Sequence, residues 1–74
     1  MPTPDDLGHR LWRMRRRHDQ IDAVLRPAGE GWELTYSRNQ RPMLVWRYAN
    51  RDDAAADADV RRRELERAGW TSHW

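Results

Sequence analysis

The run "LWRMRRRHD", residues 11–19, decides the fold, because it satisfies two secondary-structure periods at once. Read as a helix, Leu7, Leu11, Met14, His18, Ile21 and Leu25 recur at alternating spacings of four and three, and Asp5 and Asp6 suit a helix start. Trp12 then faces water. Read as strands, Trp12 and Met14 alternate with Arg13 and Arg15, while Ile21, Ala23 and Leu25 alternate with Asp22, Val24 and Arg26. "RRHD" becomes the turn, and every large apolar side chain joins one face.

The rest of the chain is easier to read. In "NRDDAAADADVRRRELERAGW", Asn50 is a good N-cap and Asp53 completes a capping-box-like arrangement. Aspartates crowd the first half of this segment and Arg61, Arg62, Arg63 and Arg67 the second, which complements a helix dipole. Gly69 stands where a left-handed cap is wanted, and Trp70 can fold back toward Leu65. The pattern predicts a helix over 52–68 whose inner stripe is Ala54, Ala58, Arg61, Leu65 and Ala68, with Ala55 beside it. Such a stripe supplies little volume, so the opposing layer must supply the bulk. That layer is a hairpin in which Trp32, Leu34 and Tyr36 pair with Leu44, Trp46 and Tyr48 around a polar "SRNQRPM" connection.

The two readings of residues 11–19 give two architectures. The strand reading gives an α+β domain, an antiparallel β-meander of three to four strands covered by one C-terminal α-helix, with "PAGEG" as a hairpin loop. The helix reading gives an N-terminal helix, a β-hairpin and a C-terminal helix, or a dimer through a heptad seam. The meander is preferred because it uses Trp12. Either way, residues 1–74 form a single small domain with flexible ends at 1–8 and 71–74.

Composition bounds the function. A 74-residue chain buries only about 60% of its unfolded surface, so its stability margin is thin and a partner subunit would help. There is no cysteine, which excludes disulfides, thiolate zinc sites and cysteine nucleophiles. The net charge is only +2, and all 14 basic residues are arginine. With abundant alanine and no lysine, that usage fits a GC-rich coding bias, which lowers the functional weight of each arginine. No apolar run reaches the roughly 18 residues of a membrane span, and "MPTPDD" does not suit a signal peptide, so a cytoplasmic bacterial protein is expected.

Catalytic and metal-binding patterns are lacking. His9, His18 and His73 have no metal-ligand spacing, and no cofactor is expected. Glu30 and Glu33, and the aspartates at 52, 53, 57 and 59, are explained by hairpin-edge solvation and capping. Ser37 and Ser72 have no evident base, and "PAGEG" is not a phosphate loop. The chain reads as a non-enzymatic binding module.

The pattern of "GWEL", a second strand, an Ala-rich acidic-to-basic helix and a terminal "ERAGW" resembles small bacterial proteins of unassigned function, in which the counterpart of "LWRMRR" opens a hairpin. Trp32, Tyr36, Trp46, Arg47 and "RYANRDDAAADA" also resemble the sheet and strand-turn-helix junction of two DNA-binding families. These are the ethylene-responsive-factor domains of plants and the arm-binding domains of tyrosine recombinases. That resemblance implies a sheet laid in the major groove. Glu33 and the four aspartates of the helix depart from it.

Two binding readings follow. In the first, the sheet face opposite the helix displays Arg13, Arg15, Arg26, Thr35 and Arg47, with Val24 and Val45 among them, to nucleic acid. Residues 7–18 concentrate five arginines and no acid, which predicts salt-dependent binding. In the second, five tryptophans exceed what so small a core can bury, and Trp70 and Trp74 form an exposed anchor for a protein partner. A homodimer is the expected assembly, favoured by an unpaired sheet edge and a thin core.

Overall fold

Residues 11–19 are strand and turn. The computed structural model describes residues 8–72. Four antiparallel strands, β1 (His9–Arg16), β2 (Asp19–Ala28), β3 (Gly31–Arg38) and β4 (Arg41–Tyr48), precede one helix, α1 (Arg51–Arg67). A two-residue strand, β5 (Thr71–Ser72), returns to pair with β1, and the sheet order is β4-β3-β2-β1-β5. The meander and its covering helix are therefore as expected, whereas the N-terminal helix is not formed. The strands win because Trp12 and Met14 on β1 then sit on the face that also carries Ala23, Leu25, Leu34 and Tyr36, and all six are buried. A helix would have left Trp12 in water.

The layer opposite is α1, and its contribution is small, as the alanines predict. Only Ala54 and Ala58 are buried, Leu65 is partly buried, and Arg61 and Ala68 of the expected stripe are exposed. Close approach of helix to sheet is fixed by two polar contacts. Trp12 Nε1 donates to the Ala58 carbonyl at 2.9 Å, and Tyr36 Oη donates to Asp57 Oδ2 at 2.9 Å. Every buried side-chain polar atom among the described residues has a partner.

The ends of α1 follow the sequence closely. Asn50 Oδ1 accepts from the Asp53 backbone N–H at 2.9 Å, and Asn50 Nδ2 donates to Asp53 Oδ2 at 3.1 Å. At the other end Gly69 takes φ +94, the Trp70 N–H donates to the Leu65 carbonyl at 2.9 Å, and the indole folds into the core. Arg16 clamps this turn by donating to the Ala68 carbonyl at 2.9 Å and lying 5.2 Å from the Trp70 ring centroid. Thr71 and Ser72, expected in a flexible tail, instead extend the sheet opposite Arg15 and Met14.

One helix is narrower than this sheet. An α-helix with side chains is about 10–12 Å across, while strands are about 4.8 Å apart, so α1 can roof two or three of them. It packs over β1 to β3 and meets β4 near Tyr48, leaving Met43 to Trp46 of β4 about half exposed.

Gly31 allows the start of β3 to lie close against the end of β4. A β-carbon there would lie 2.5 Å from the Tyr48 carbonyl oxygen, which is backbone and cannot swing aside. Gly31→Ala is expected to cost about 1–3 kcal/mol, read as a lowered urea midpoint. An unchanged midpoint would show that the strands part without cost.

The sheet–helix contact also sets a pH response. The Tyr36 hydroxyl is pushed well above the usual phenol range, first by burial and then by its hydrogen bond to the Asp57 carboxylate. Tyr48 is pushed up to about 12, by burial and the same carboxylate. The folded state thus holds these protons more tightly than the unfolded chain, so the associated stability is complete below about pH 10 and is lost as pH rises through the folded-state values. The unfolding midpoint should fall steeply above that pH, and less steeply in Tyr36→Phe. An identical alkaline fall in that variant would remove Tyr36 from the explanation.

Candidate functional site

The face opposite α1 is set by the strand register. Arg13 pairs with Asp22, Arg15 with Gln20, Val24 with Thr35, Thr35 with Val45, and Glu33 stands between Arg26 and Arg47. Arg13, Arg15, Arg26, Thr35 and Arg47 therefore share one face with Val24 and Val45, as the alternation predicts. Their electrostatics are less basic than the arginines alone suggest. Arg13 forms a two-point ion pair with Asp22, at 2.8 and 3.3 Å, and Arg47 lies 3.8 Å from Glu33. Hydrogen bonding to Asp22 raises the Arg13 guanidinium further above its ordinary range. Acids placed opposite arginines make this centre a cross-strand charge ladder.

Trp70, expected on the surface beside Trp74, is buried beneath Arg16 and cannot anchor a partner. Its hydrophobic contact with the last helical turn outweighs exposure. Trp74 lies outside the described residues.

The exposed apolar surface lies elsewhere, on β4. Arg41 to Arg47 are all exposed, and in the middle of this run Met43 is 48%, Leu44 48%, Val45 53% and Trp46 47% accessible. Leu44 opposes Tyr36 and Trp46 opposes Leu34, which puts both on the helix side, while Val45 lies on the other face. The strand thus presents apolar side chains on both faces and a backbone edge that no strand among the described residues pairs, with charges only at its ends. Edge strands are commonly guarded by a central charge or proline. Here Pro42 guards only the first residues, where the register slips and Met43 bulges.

Between β4 and α1 a groove of about 210 Å³ runs along the helix side, lined by Trp12, Ile21, Tyr36, Leu44, Arg61 and Leu65. The Arg61–Glu64 ion pair, at 3.7 Å, stands on its helical rim. Further along α1, Arg62 bridges Asp59 and Glu66, and Arg63 also meets Asp59, whose carboxylate is held below its ordinary range by hydrogen bonds from Arg62 and Arg63. That outer surface is internally neutralised.

No protein family, curated protein or solved structure matches this chain. Its function is therefore read from its own residues. Among the described residues no group of three His, Asp or Glu side chains comes together, and no helix is long and apolar enough to cross a membrane.

Sequence reading missed the exposure of β4. The signal was "MLVW", four consecutive apolar residues where a half-buried strand would alternate. Its alternation with β3 suggested cover by the helix, but α1 meets β4 near Tyr48 and leaves Met43 to Trp46 half exposed.

Proposed function

We propose that this chain is a non-enzymatic, self-associating binding module, in which β4 pairs antiparallel with β4 of a second copy. The observation that carries this reading is the apolar, two-faced, unpaired edge of β4.

The shape of β4 supports both a second copy as the partner and one register of pairing. Pro42 and the bulge at Met43 spoil the start of the strand, which leaves a regular stretch over 44–48. A continuous antiparallel sheet formed by two identical strands requires a two-fold axis perpendicular to the sheet, and such an axis keeps every side chain on its own face. The longest regular overlap then places Trp46 opposite Trp46, Leu44 opposite Tyr48 and Val45 opposite Arg47. No two arginines oppose one another in this arrangement. Both helices lie on the same side, and the half-exposed Leu44 and Trp46 of each copy fill the gap between them. Burial of that gap enlarges a core whose largest fully buried side chains are Met14, Leu25 and Leu34.

The test is sedimentation velocity across a concentration series. A reversible dimer in the roughly micromolar range is expected, given an interface of modest size. A monomer at every concentration up to roughly millimolar, about −4 kcal/mol of association energy, would end the proposal.

A further inference from the structure

A second surface is built where the two hairpin turns meet, and it does not depend on β4 pairing. Asn39 joins the turns. Its backbone N–H donates to the Gln20 carbonyl at 2.8 Å, its Oδ1 accepts from the Gln20 N–H at 2.9 Å, and its Nδ2 reaches Asp19 Oδ1 at 3.3 Å. Asp19 also accepts from Arg38 Nη2 at 2.9 Å, and its carboxyl is held below the ordinary range by Asn39 first and Arg38 second. The Asp19 carboxylate at this end of the sheet is thus consumed internally.

What remains is cationic and hydrogen-bond donating. A basin of about 190 Å³ is lined by Arg15, His18, Gln20, Asn39 and Gln40, with no carboxylate among them. A second hollow on the far side of Asn39 is lined partly by Arg38 and Arg41. Arg15, Arg17 and Arg41 are exposed and form no ion pair among the described residues. The cations are distributed from β1 to β4, three strand spacings or about 14 Å. That span exceeds one phosphate group and matches a repeated anion.

The backbone of the turns fits this placement. Among the described residues, Arg17, Asn39 and Gln40 are the non-glycine residues with positive φ, at 56, 51 and 71°, and all three lie in these two turns. Glycine would relieve the strain at Arg17 and Gln40. Positive φ at the central residues is what tight hairpin turns need, and these two turns set the hairpin ends side by side at the basin.

We propose that this turn end binds the phosphodiester backbone of nucleic acid, without reading base sequence. The guanidiniums of Arg15, Arg17 and Arg41 contact successive phosphates, and Gln40 and His18 donate within the basin. The site takes only Arg15 from the five open-face residues, two of which, Arg13 and Arg47, are already occupied by Asp22 and Glu33.

Fluorescence anisotropy with a labelled DNA duplex of mixed sequence, over a salt series, tests this. Arg17→Gln with Arg41→Gln should weaken binding at least about tenfold at low salt and reduce the salt slope by about two. The control pair, Arg26→Gln with Arg47→Gln, should lose less than about threefold. Gln40→Gly should raise the urea midpoint and lower affinity together. The proposal is overturned by absence of binding at low salt, or by a larger loss in the sheet-face pair. It is equally overturned if inorganic phosphate binds as tightly as the duplex, which would make the ligand a small anion, or if Gln40→Gly raises stability with affinity unchanged.

Discussion

Trp12→Ala is expected to leave the chain largely unfolded at room temperature. The indole is 4% exposed, packs 6.0 Å from the Tyr36 ring centroid, and makes the buried hydrogen bond to Ala58 that ties sheet to helix. Truncating a buried aromatic costs about 3–5 kcal/mol. A domain of this length has a total stability of about 4–11 kcal/mol, so the loss consumes much or all of it. Alanines on α1 cannot refill the space, because Ala54 and Ala58 have no longer atoms to move inward. Circular dichroism during urea titration would show a transition already under way without denaturant. A cooperative transition with the wild-type midpoint would mean that α1 is held to the sheet by something other than Trp12.

Trp46→Ala should act on assembly far more than on the fold. The side chain is half exposed in the single chain, so its removal should leave the sheet and helix intact. In the paired arrangement it meets its own counterpart on the two-fold axis, and the loss occurs in both copies. A buried tryptophan at the centre of an interface is worth about 2 kcal/mol or more. Two such losses weaken association roughly a thousandfold. Sedimentation velocity should find a folded monomer. A dimer of unchanged affinity would show that association, if present, uses another surface.

Residues 11–19 illustrate how much the sequence disclosed. Helix and strand periods were equally well satisfied there, and only the need to bury Trp12 separated them. The caps of α1 were legible because Asn50, Asp53 and Gly69 act locally, through the backbone within a few residues. The bulges at Leu11 and Met43 were not legible, since each is a mismatch between two strands and belongs to neither alone. The reach of α1 over the sheet is likewise a matter of width, and it determines that Leu44 and Trp46 are left half bare. Arg13, Arg15, Arg26, Thr35 and Arg47 were correctly grouped by alternation. The neutralisation of Arg13 and Arg47 was hidden, because it needs the registers that bring Asp22 to Arg13 and Glu33 to Arg47. The clasp at Asn39 depends on two turns, those at 17–18 and 39–40, meeting side by side, a long-range fact that no local pattern carries.

The most direct test of β4 self-pairing uses the absence of native cysteine. Val45→Cys and Arg47→Cys chains, distinguishable by mass, are mixed and oxidised gently, with Arg26→Cys as a control on the same open face. Directly opposed residues in an antiparallel pair have Cα atoms about 4.5–5.5 Å apart, within the range a disulfide can bridge. Pairing centred on Trp46 predicts that the mixed Val45→Cys and Arg47→Cys disulfide forms first and in greatest yield. A mixed yield no higher than that of the Arg26→Cys control would contradict it.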